Sequence, residues 1–150
     1  MGKSRLTEVP FSSAILNIDW DKDSSLLSVV SQAYELRFIS LGTLKDVAAS
    51  SVKNTEWATT TCKFGFPVMG IFQGVNFAQL NSVCSSVSKK MIATGNDDQI
   101  VRLFKYPCVE PGQVHKQYPG HSSHITRVCF SSDDRYLFST GGNDRTALIW

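Results

Sequence analysis

The chain has 150 residues, of which 42% are hydrophobic and 19% are charged, with a formal net charge of +2. This composition suits a globular protein that buries a core, and the mild charge does not by itself imply nucleic-acid binding. No apolar run approaches the ~20 residues of a membrane-spanning helix, and the polar start does not resemble a secretory signal, so a cytoplasmic protein without membrane contact is expected.

The first structured unit follows a lead-in, residues 1–10, which we expect to be either disordered or part of a preceding blade of sheet. Short apolar and β-branched stretches over 15–20, 25–30 and 34–39 predict three strands separated by turns. This is the weakest of three related copies in the chain. Its turn carries Ala33 where the later copies have aspartate, so no polar network is expected in it.

About forty residues separate the first two copies, more than one outer strand and its loops require. Alternation around Trp57, Thr59 and Thr61 predicts a further strand, and Gly65-Phe66-Pro67 interrupts the pattern. The apolar residues from Val68 to Phe72 then enter either the core or a loop on the surface. The segment is therefore either a fourth strand with a packed connection or a surface loop specific to one family.

The second copy matches the last one element by element over three stretches: 80–84, 91–98 and 100–104. Asp98 and Asp144 occupy equivalent positions, and so do Phe104 and Trp150. Both pairs lie 46 residues apart, close to the ~40–45 residues of a four-stranded blade. The second copy lacks a histidine at the matching place.

The last copy, residues 120–150, is the most complete. A Gly-His pair opens it, and three short strands with tight turns follow, which is the order of a WD-repeat blade in a β-propeller. Four residues are expected to form a hydrogen-bonded network from indole through hydroxyl and imidazole to the turn carboxylate: His121, Thr140, Asp144 and Trp150. The equivalent positions of the second copy are Thr94, Asp98 and Phe104.

A catalytic alternative uses nearly the same residues. His121, Ser139 and Asp144 are the residue types of a serine nucleophile with its base and orienting acid. No serine here sits in a G-x-S-x-G turn, and the order and spacing are those of a repeat. The sequence therefore favours a structural network and predicts no enzyme activity.

Cysteine and histidine spacing predicts neither a metal site nor a disulfide. The four cysteines, Cys62, Cys84, Cys108 and Cys129, form no C-x-x-C pair. Cys84 and Cys129 occupy equivalent strand positions and are expected to be buried or half-buried thiols. The His121-x-x-His124 pair is a weak metal signal, and no cofactor is expected.

These observations predict an all-β, incomplete WD-repeat β-propeller over residues 11–150. Its blades are expected over about 11–56, 57–119 with the intervening segment, and 120–150, which lacks its last strand. At ~40–45 residues a blade, the chain holds about three and a half blades, whereas propellers have at least four. We expect the remaining blades to come from the same longer polypeptide or from another chain.

The chain resembles the echinoderm microtubule-associated protein-like family from about residue 15 to residue 150. The most specific matches lie between the first two copies: Trp57, Cys62, Gly65, Phe66, Pro67 and Gly70. The string Phe104-Lys105-Tyr106-Pro107-Cys108 and the Gly120-His121 region also fit. Members carry two joined propellers, and this segment resembles the closing blades of the second.

The resemblance implies a non-catalytic protein of the microtubule cytoskeleton that binds tubulin through a propeller surface. The alternative is a protein-interaction scaffold without direct tubulin contact. Two departures from the family bear on this choice. Residues 73–79 replace an acidic, glycine-containing loop, and Ile39 stands where relatives tend to have tryptophan.

Overall fold

The computed structural model describes residues 8–72 and 77–150. Its strands form three successive antiparallel sheets. The first sheet contains β1 (Ile15–Trp20), β2 (Leu26–Ser31), β3 (Leu36–Ser40) and β4 (Lys45–Val47). The second contains β5 (Leu80–Ser85), β6 (Met91–Asn96), β7 (Ile100–Lys105) and β8 (His115–Pro119). The third contains β9 (Ile125–Phe130), β10 (Leu137–Gly141) and β11 (Ala147–Ile149).

Each sheet is a meander in which consecutive strands pair, and the turns repeat the same backbone geometry. After the first strand of each sheet, one turn residue adopts a left-handed conformation: Ser24, Lys89 and Asp134, with φ of 55°, 54° and 58°. After the second strand the same holds for Tyr34, Gln99 and Arg145. Because non-glycine residues seldom adopt positive φ, this recurrence identifies the sheets as copies of one unit.

A short polar side chain organises the first turn of every sheet. The Asp21 carboxylate accepts hydrogen bonds from the Ser25 and Leu26 amides, at 2.8 and 2.9 Å. The Ser86 hydroxyl accepts from the Lys90 and Met91 amides at 3.0 Å in the second sheet. Ser131 does the same with the Tyr136 amide in the third. Such local side-chain bonds favour a turn over a continued strand.

The chain divides into two compact units, Met1–Ala58 and Thr59–Trp150. In the first unit, the buried residues Val30, Phe38 and Ile39 form the core, and the Trp57 ring lies 5.9 Å from that of Phe38. Trp57 also forms an isolated bridge with Asp21.

The second unit contains two apolar clusters. In one, four buried residues of the second sheet and Cys108 of the loop after β7 pack against a 3₁₀ helix, Phe66–Ile71; the four are Leu80, Val83, Ile92 and Phe104. In the other, Ile125, Val128 and Leu137 of the third sheet pack against Ala93 and Val101 of the second. The second and third sheets therefore share a core, as neighbouring blades do.

The predicted strand around Trp57, Thr59 and Thr61 is wrong. Apart from the bridge between Trp57 and Asp21, this stretch forms no strand. The fourth strand of the first sheet is β4, which pairs with β3. The apolar residues that follow enter the core, since Val68 and Ile71 are buried on the second sheet. Two further 3₁₀ helices span Ala49–Val52 and Phe77–Gln79. Among the described residues, no helix has the length and apolar character needed to cross a membrane.

Candidate functional site: the polar network of the third sheet

A hydrogen-bonded network joins β10 and the two ends of β11 to the loop that precedes the third sheet. The Trp150 Nε1–H donates to Ser139 Oγ at 2.9 Å. Ser139 Oγ lies 2.7 Å from His121 Nε2, and His121 Nδ1 lies 2.8 Å from Asp144 Oδ2. We call these four residues, Trp150, Ser139, His121 and Asp144, the polar network.

The prediction that Thr140 supplies the hydroxyl is wrong, because the hydroxyl belongs to its neighbour Ser139. Successive residues of a strand point to opposite faces. Ser139 points inward and is only 1% exposed, whereas the exposed Thr140 side chain meets the Thr126 hydroxyl at 2.8 Å. The spacing from His121 and Trp150 could not distinguish two adjacent hydroxyl residues.

Donor and acceptor capacity constrains the protons in the polar network. The indole N–H can only donate, so the Ser139 oxygen accepts from Trp150. The Asp144 carboxylate can only accept, so His121 Nδ1 carries a proton and donates to it, and in a neutral imidazole the Ser139 O–H donates to Nε2. Every polar hydrogen in the network has a partner, which is what a buried position requires.

Asp144 also closes the turn before β11. Its carboxylate accepts from the Ser122 amide at 3.2 Å and the Thr146 amide at 3.3 Å. Desolvation raises the pKa of Asp144, but the hydrogen bonds from His121 and these amides outweigh it, so the pKa lies below its usual value. The carboxylate therefore stays ionised and holds the turn at neutral pH.

Trp150, which follows β11, also packs against Gly120. A Cβ on Gly120 would lie 2.7 Å from Cη2 of the indole, so the Gly-His pair leaves room for the ring. Tyr118 of β8 lies 5.7 Å from Trp150, ring centre to ring centre. His124, the second histidine of the H-x-x-H pair, lies apart from the network and has its Nδ1 3.2 Å from Ser123 Oγ.

The middle copy replaces the histidine with an arginine. The Asp98 carboxylate forms a bidentate ion pair with Arg102, which is largely buried. Desolvation raises the pKa of Asp98, but the bonds from Arg102 bring it below the usual value. Thr94 is buried, and its hydroxyl has no hydrogen-bond partner among the described residues. Phe104 is buried in the core, so no indole donor is needed there.

The first sheet keeps a carboxylate at its turn, which the sequence reading missed. Ala33 cannot act, but the Glu35 carboxylate accepts from the Ser12 amide and hydroxyl, at 3.2 and 2.7 Å. Hydrogen bonds from the Ser12 hydroxyl, the Ser12 amide and the Ser31 hydroxyl lower the pKa of Glu35. Desolvation acts in the opposite direction but is outweighed. The first sheet therefore has only a carboxylate with its serine partners where the third sheet has the polar network. The spacing of the repeats did not reveal Glu35, because it lies two residues after Ala33, the position that corresponds to the later aspartates.

The residues of the family-specific segment lie in several surroundings. Trp57 and Cys62 are buried. Gly65 precedes the 3₁₀ helix that begins with Phe66-Pro67 and has a φ of 139°, which favours glycine. The Gly70 amide donates to the Cys108 carbonyl at 2.8 Å, and a Cβ there would lie 2.4 Å from the Glu110 carbonyl. The part of this segment from Gly65 to Gly70 therefore packs against the second sheet and the loop between β7 and β8.

The second and third sheets are also joined by polar contacts. The Asp134 carboxylate accepts from the Val87 and Ser88 amides at 2.7 and 2.8 Å. Asn81 Nδ2 donates to the Ile125 carbonyl at 2.9 Å, and the Val128 amide donates to Ser82 Oγ at 3.1 Å. The first strands of the two sheets therefore lie side by side.

Replacing Asp134 by asparagine should destabilise the chain at neutral pH, because an amide has only one oxygen to accept from two backbone donors. The hydrogen bonds from Ser88 lower the pKa of Asp134 beneath 3.8, so its stabilisation is present above that pH and is lost as pH falls through the lower folded value. Urea unfolding of both proteins should show a gap at pH 6 that shrinks below pH 3.8. Asp23→Asn, in the equivalent turn of the first sheet, is the control. A gap independent of pH would contradict the assignment.

Within the described residues, no group of three His, Cys, Asp or Glu side chains is placed to hold a metal ion. The four cysteines are free thiols. The expectation that Cys129 is at least half-buried is wrong, because its side chain is exposed, whereas Cys84 is half-buried.

Comparison with known proteins decides the family. The family model described as "Echinoderm microtubule-associated protein second beta-propeller" matches residues 3–150. The chain belongs to this family. The resemblance inferred from the sequence and the propeller fold are both confirmed.

Several relatives support this assignment. Human echinoderm microtubule-associated protein-like 2 is 41% identical over 141 residues, which is 93% of this chain and 22% of that protein. The rat "-like 1" protein is 38% identical, with 93% and 17% covered. The 77 kDa protein of Strongylocentrotus purpuratus is also 38% identical, with 93% and 21% covered. The chain thus spans about a fifth of the length of the curated relatives it matches.

A solved structure agrees on the fold alone. A chain of the "Crystal Structure of Mitotic Checkpoint Complex" superposes with a TM-score of 0.68 at 14% identity. The match covers 98% of this chain and 50% of that one. Half of that longer chain therefore corresponds to the fold seen here.

Proposed function

We propose that this chain is a non-catalytic part of a microtubule-associated β-propeller protein that binds tubulin through a propeller surface and is located on cytoplasmic microtubules. The family match over residues 3–150 carries the proposal, together with relatives whose names describe microtubule association. The remaining blades would come from the rest of a longer polypeptide. No nucleic-acid or membrane partner is proposed.

The burial of the polar network supports a non-catalytic role. A nucleophilic serine must reach a substrate, yet Ser139 is 1% exposed and its oxygen already accepts from Trp150. The distances between Ser139, His121 and Asp144 fit a catalytic triad, but the same bonds satisfy a blade interior. Lack of access, and not the geometry, distinguishes the two roles.

A scaffold without direct tubulin contact is the second candidate. Exposed apolar side chains favour it, since Val87 in a turn and Val114 in a loop of the second sheet are available to protein partners of any kind. The two candidates differ in whether purified tubulin suffices for binding.

Co-sedimentation with microtubules assembled from purified tubulin should separate the candidates. We expect the chain to pellet with microtubules at low salt and less so as salt rises, because exposed lysines and arginines would meet an acidic surface. Pelleting only after a cell extract is added would favour the scaffold. No pelleting of either the chain or its longer parent would contradict tubulin binding.

Charge-reversed variants can locate the surface. Lys90 and Lys105 are exposed at one end of the second sheet, where the Tyr106 amide donates to the Lys90 carbonyl. Arg145 is exposed at the opposite end of the third sheet, in the turn before β11. Lys90→Glu with Lys105→Glu should weaken pelleting if the first end binds. Arg145→Glu should weaken it if the second end binds, and each variant serves as the control for the other.

A further inference from the structure

Two cysteines from neighbouring sheets meet in the second unit. Cys84 lies on β5 and Cys129 on β9, at equivalent positions of their repeats. The contacts of Asn81 with Ile125 and of Ser82 with Val128 bring the two strands together, in step, just before these cysteines. Both thiols are free.

The thiols also contact each other. The Cys129 side chain and the Phe130 amide lie within hydrogen-bonding reach of the Cys84 sulfur. Each thiol donates weakly to the carbonyl of the next residue, at 3.5 Å for Cys84 and 3.4 Å for Cys129. The pair therefore has one exposed and one half-buried member at the boundary between two sheets.

We propose that Cys84 and Cys129 are a site of reversible oxidation, at which a hydroperoxide converts the two thiols into a disulfide between neighbouring blades. This goes beyond the proposed microtubule role and does not depend on it. Disulfide formation requires two sulfurs that can approach to about 2 Å. Cys62 and Cys108 are both buried, so a peroxide in solvent does not reach them as it reaches Cys129.

The chemistry starts at the exposed thiol. The Cys129 thiolate attacks hydrogen peroxide, so that an S–O bond forms, the O–O bond breaks, and water leaves. The Cys84 sulfur then attacks the resulting sulfenic acid, an S–S bond forms, the S–O bond breaks, and a second water leaves. The two thiols lose two electrons to one peroxide. Burial raises the pKa of the Cys84 thiol, which suits it to the second role more than to the first.

Trypsin mapping tests the proposal directly, because each cysteine lies in a different tryptic peptide. Cys84 falls in 64–89, Cys129 in 128–135, Cys62 in 54–63 and Cys108 in 106–116. The folded chain would be treated with hydrogen peroxide, blocked with N-ethylmaleimide and digested without reduction. We expect the peptides 64–89 and 128–135 to be linked, and the link to be lost on adding dithiothreitol. When the blocking step is carried out in denaturant, which exposes the buried thiols, the peptides with Cys62 and Cys108 should carry maleimide.

Variants identify the order of events. In Cys84→Ser, the sulfenic acid on Cys129 has no partner and should be trapped by dimedone. In Cys129→Ser, Cys84 should stay reduced under the same treatment. The wild-type map is decisive even if a variant fails to fold. The proposal is overturned if wild-type Cys129 becomes a dimedone adduct or a sulfinic acid without the link, if it does not react, or if links to Cys62 or Cys108 are equally abundant.

Discussion

Replacing Phe104 by alanine is expected to lower the free energy of unfolding by about 3–5 kcal/mol. The ring is 1% exposed and packs among Ile92, Leu80 and the 3₁₀ helix. It also stacks on His115, with ring centres 4.7 Å apart. Removing it leaves a cavity that the paired strands cannot close. Because a typical domain is stable by about 5–15 kcal/mol, the change should remove a large part of the total.

Urea unfolding followed by tryptophan fluorescence would measure the effect of Phe104→Ala. Val114→Ala is the matched control, since Val114 is 90% exposed and its removal should change stability by less than about 0.5 kcal/mol. An equal loss in both variants would show that Phe104 does not lie in the core of the second sheet.

Gly141→Ala should break the polar network without changing any of its four members. A Cβ on Gly141 would lie 1.8 Å from Asp144 Oδ1, so the carboxylate must move away from His121. The imidazole N–H would then be buried without its acceptor. A buried donor left unpaired costs about 1–3 kcal/mol, and the displaced turn adds to the loss.

Thermal unfolding of Gly141→Ala should show a clearly lower midpoint than the wild type. Gly42→Ala is the control, because the nearest atom to a Cβ there lies 4.0 Å away and the backbone is not left-handed. Chemical shifts of the His121 ring nitrogens would add a local readout, since the wild type should carry its proton on Nδ1. An unchanged midpoint and an unchanged ring would mean that Asp144 does not depend on this close approach.

The repeat was readable from the sequence because its period is long and its turns are marked. The 46-residue spacing between Asp98 and Asp144 aligned the second copy with the third, strand for strand. Turn residues separated the strands, so the all-β class and the propeller assignment followed. His121, Asp144 and Trp150 belong to one network in the structure because Ser139 and the His121 ring connect Trp150, which follows β11, to Asp144 in the turn before it.

The individual side chains that form these contacts could not be predicted from the sequence. Ser139 and Thr140 both carry hydroxyls, and only the strand register shows that Ser139 faces inward. The Asp98–Arg102 pair joins residues across a turn, where sequence spacing gives no sign of a contact. Glu35, two residues after Ala33, supplies the carboxylate that bonds Ser12 in the first sheet, and the spacing of the later aspartates does not point to it.

The segment after the first sheet shows a different limit. Alternation at Trp57, Thr59 and Thr61 satisfies the pattern of a strand, but a strand also needs a free edge to pair with. The fourth strand of the first sheet is instead β4, and its three residues, Lys45–Val47, are too short and polar a stretch to stand out in the sequence. Local alternation alone could not show which segment supplies that strand.

Labelling with a fluorophosphonate, which phosphonylates reactive serines, tests most directly whether the Ser139, His121 and Asp144 network supports a blade or a reaction. Tryptic peptide 136–145 contains Ser139 and can be followed by mass. Because the hydroxyl is buried and bonded to Trp150, the folded chain should yield this peptide unmodified. A stoichiometric adduct on Ser139 that disappears in His121→Ala would contradict a purely structural role and point to a catalytic one.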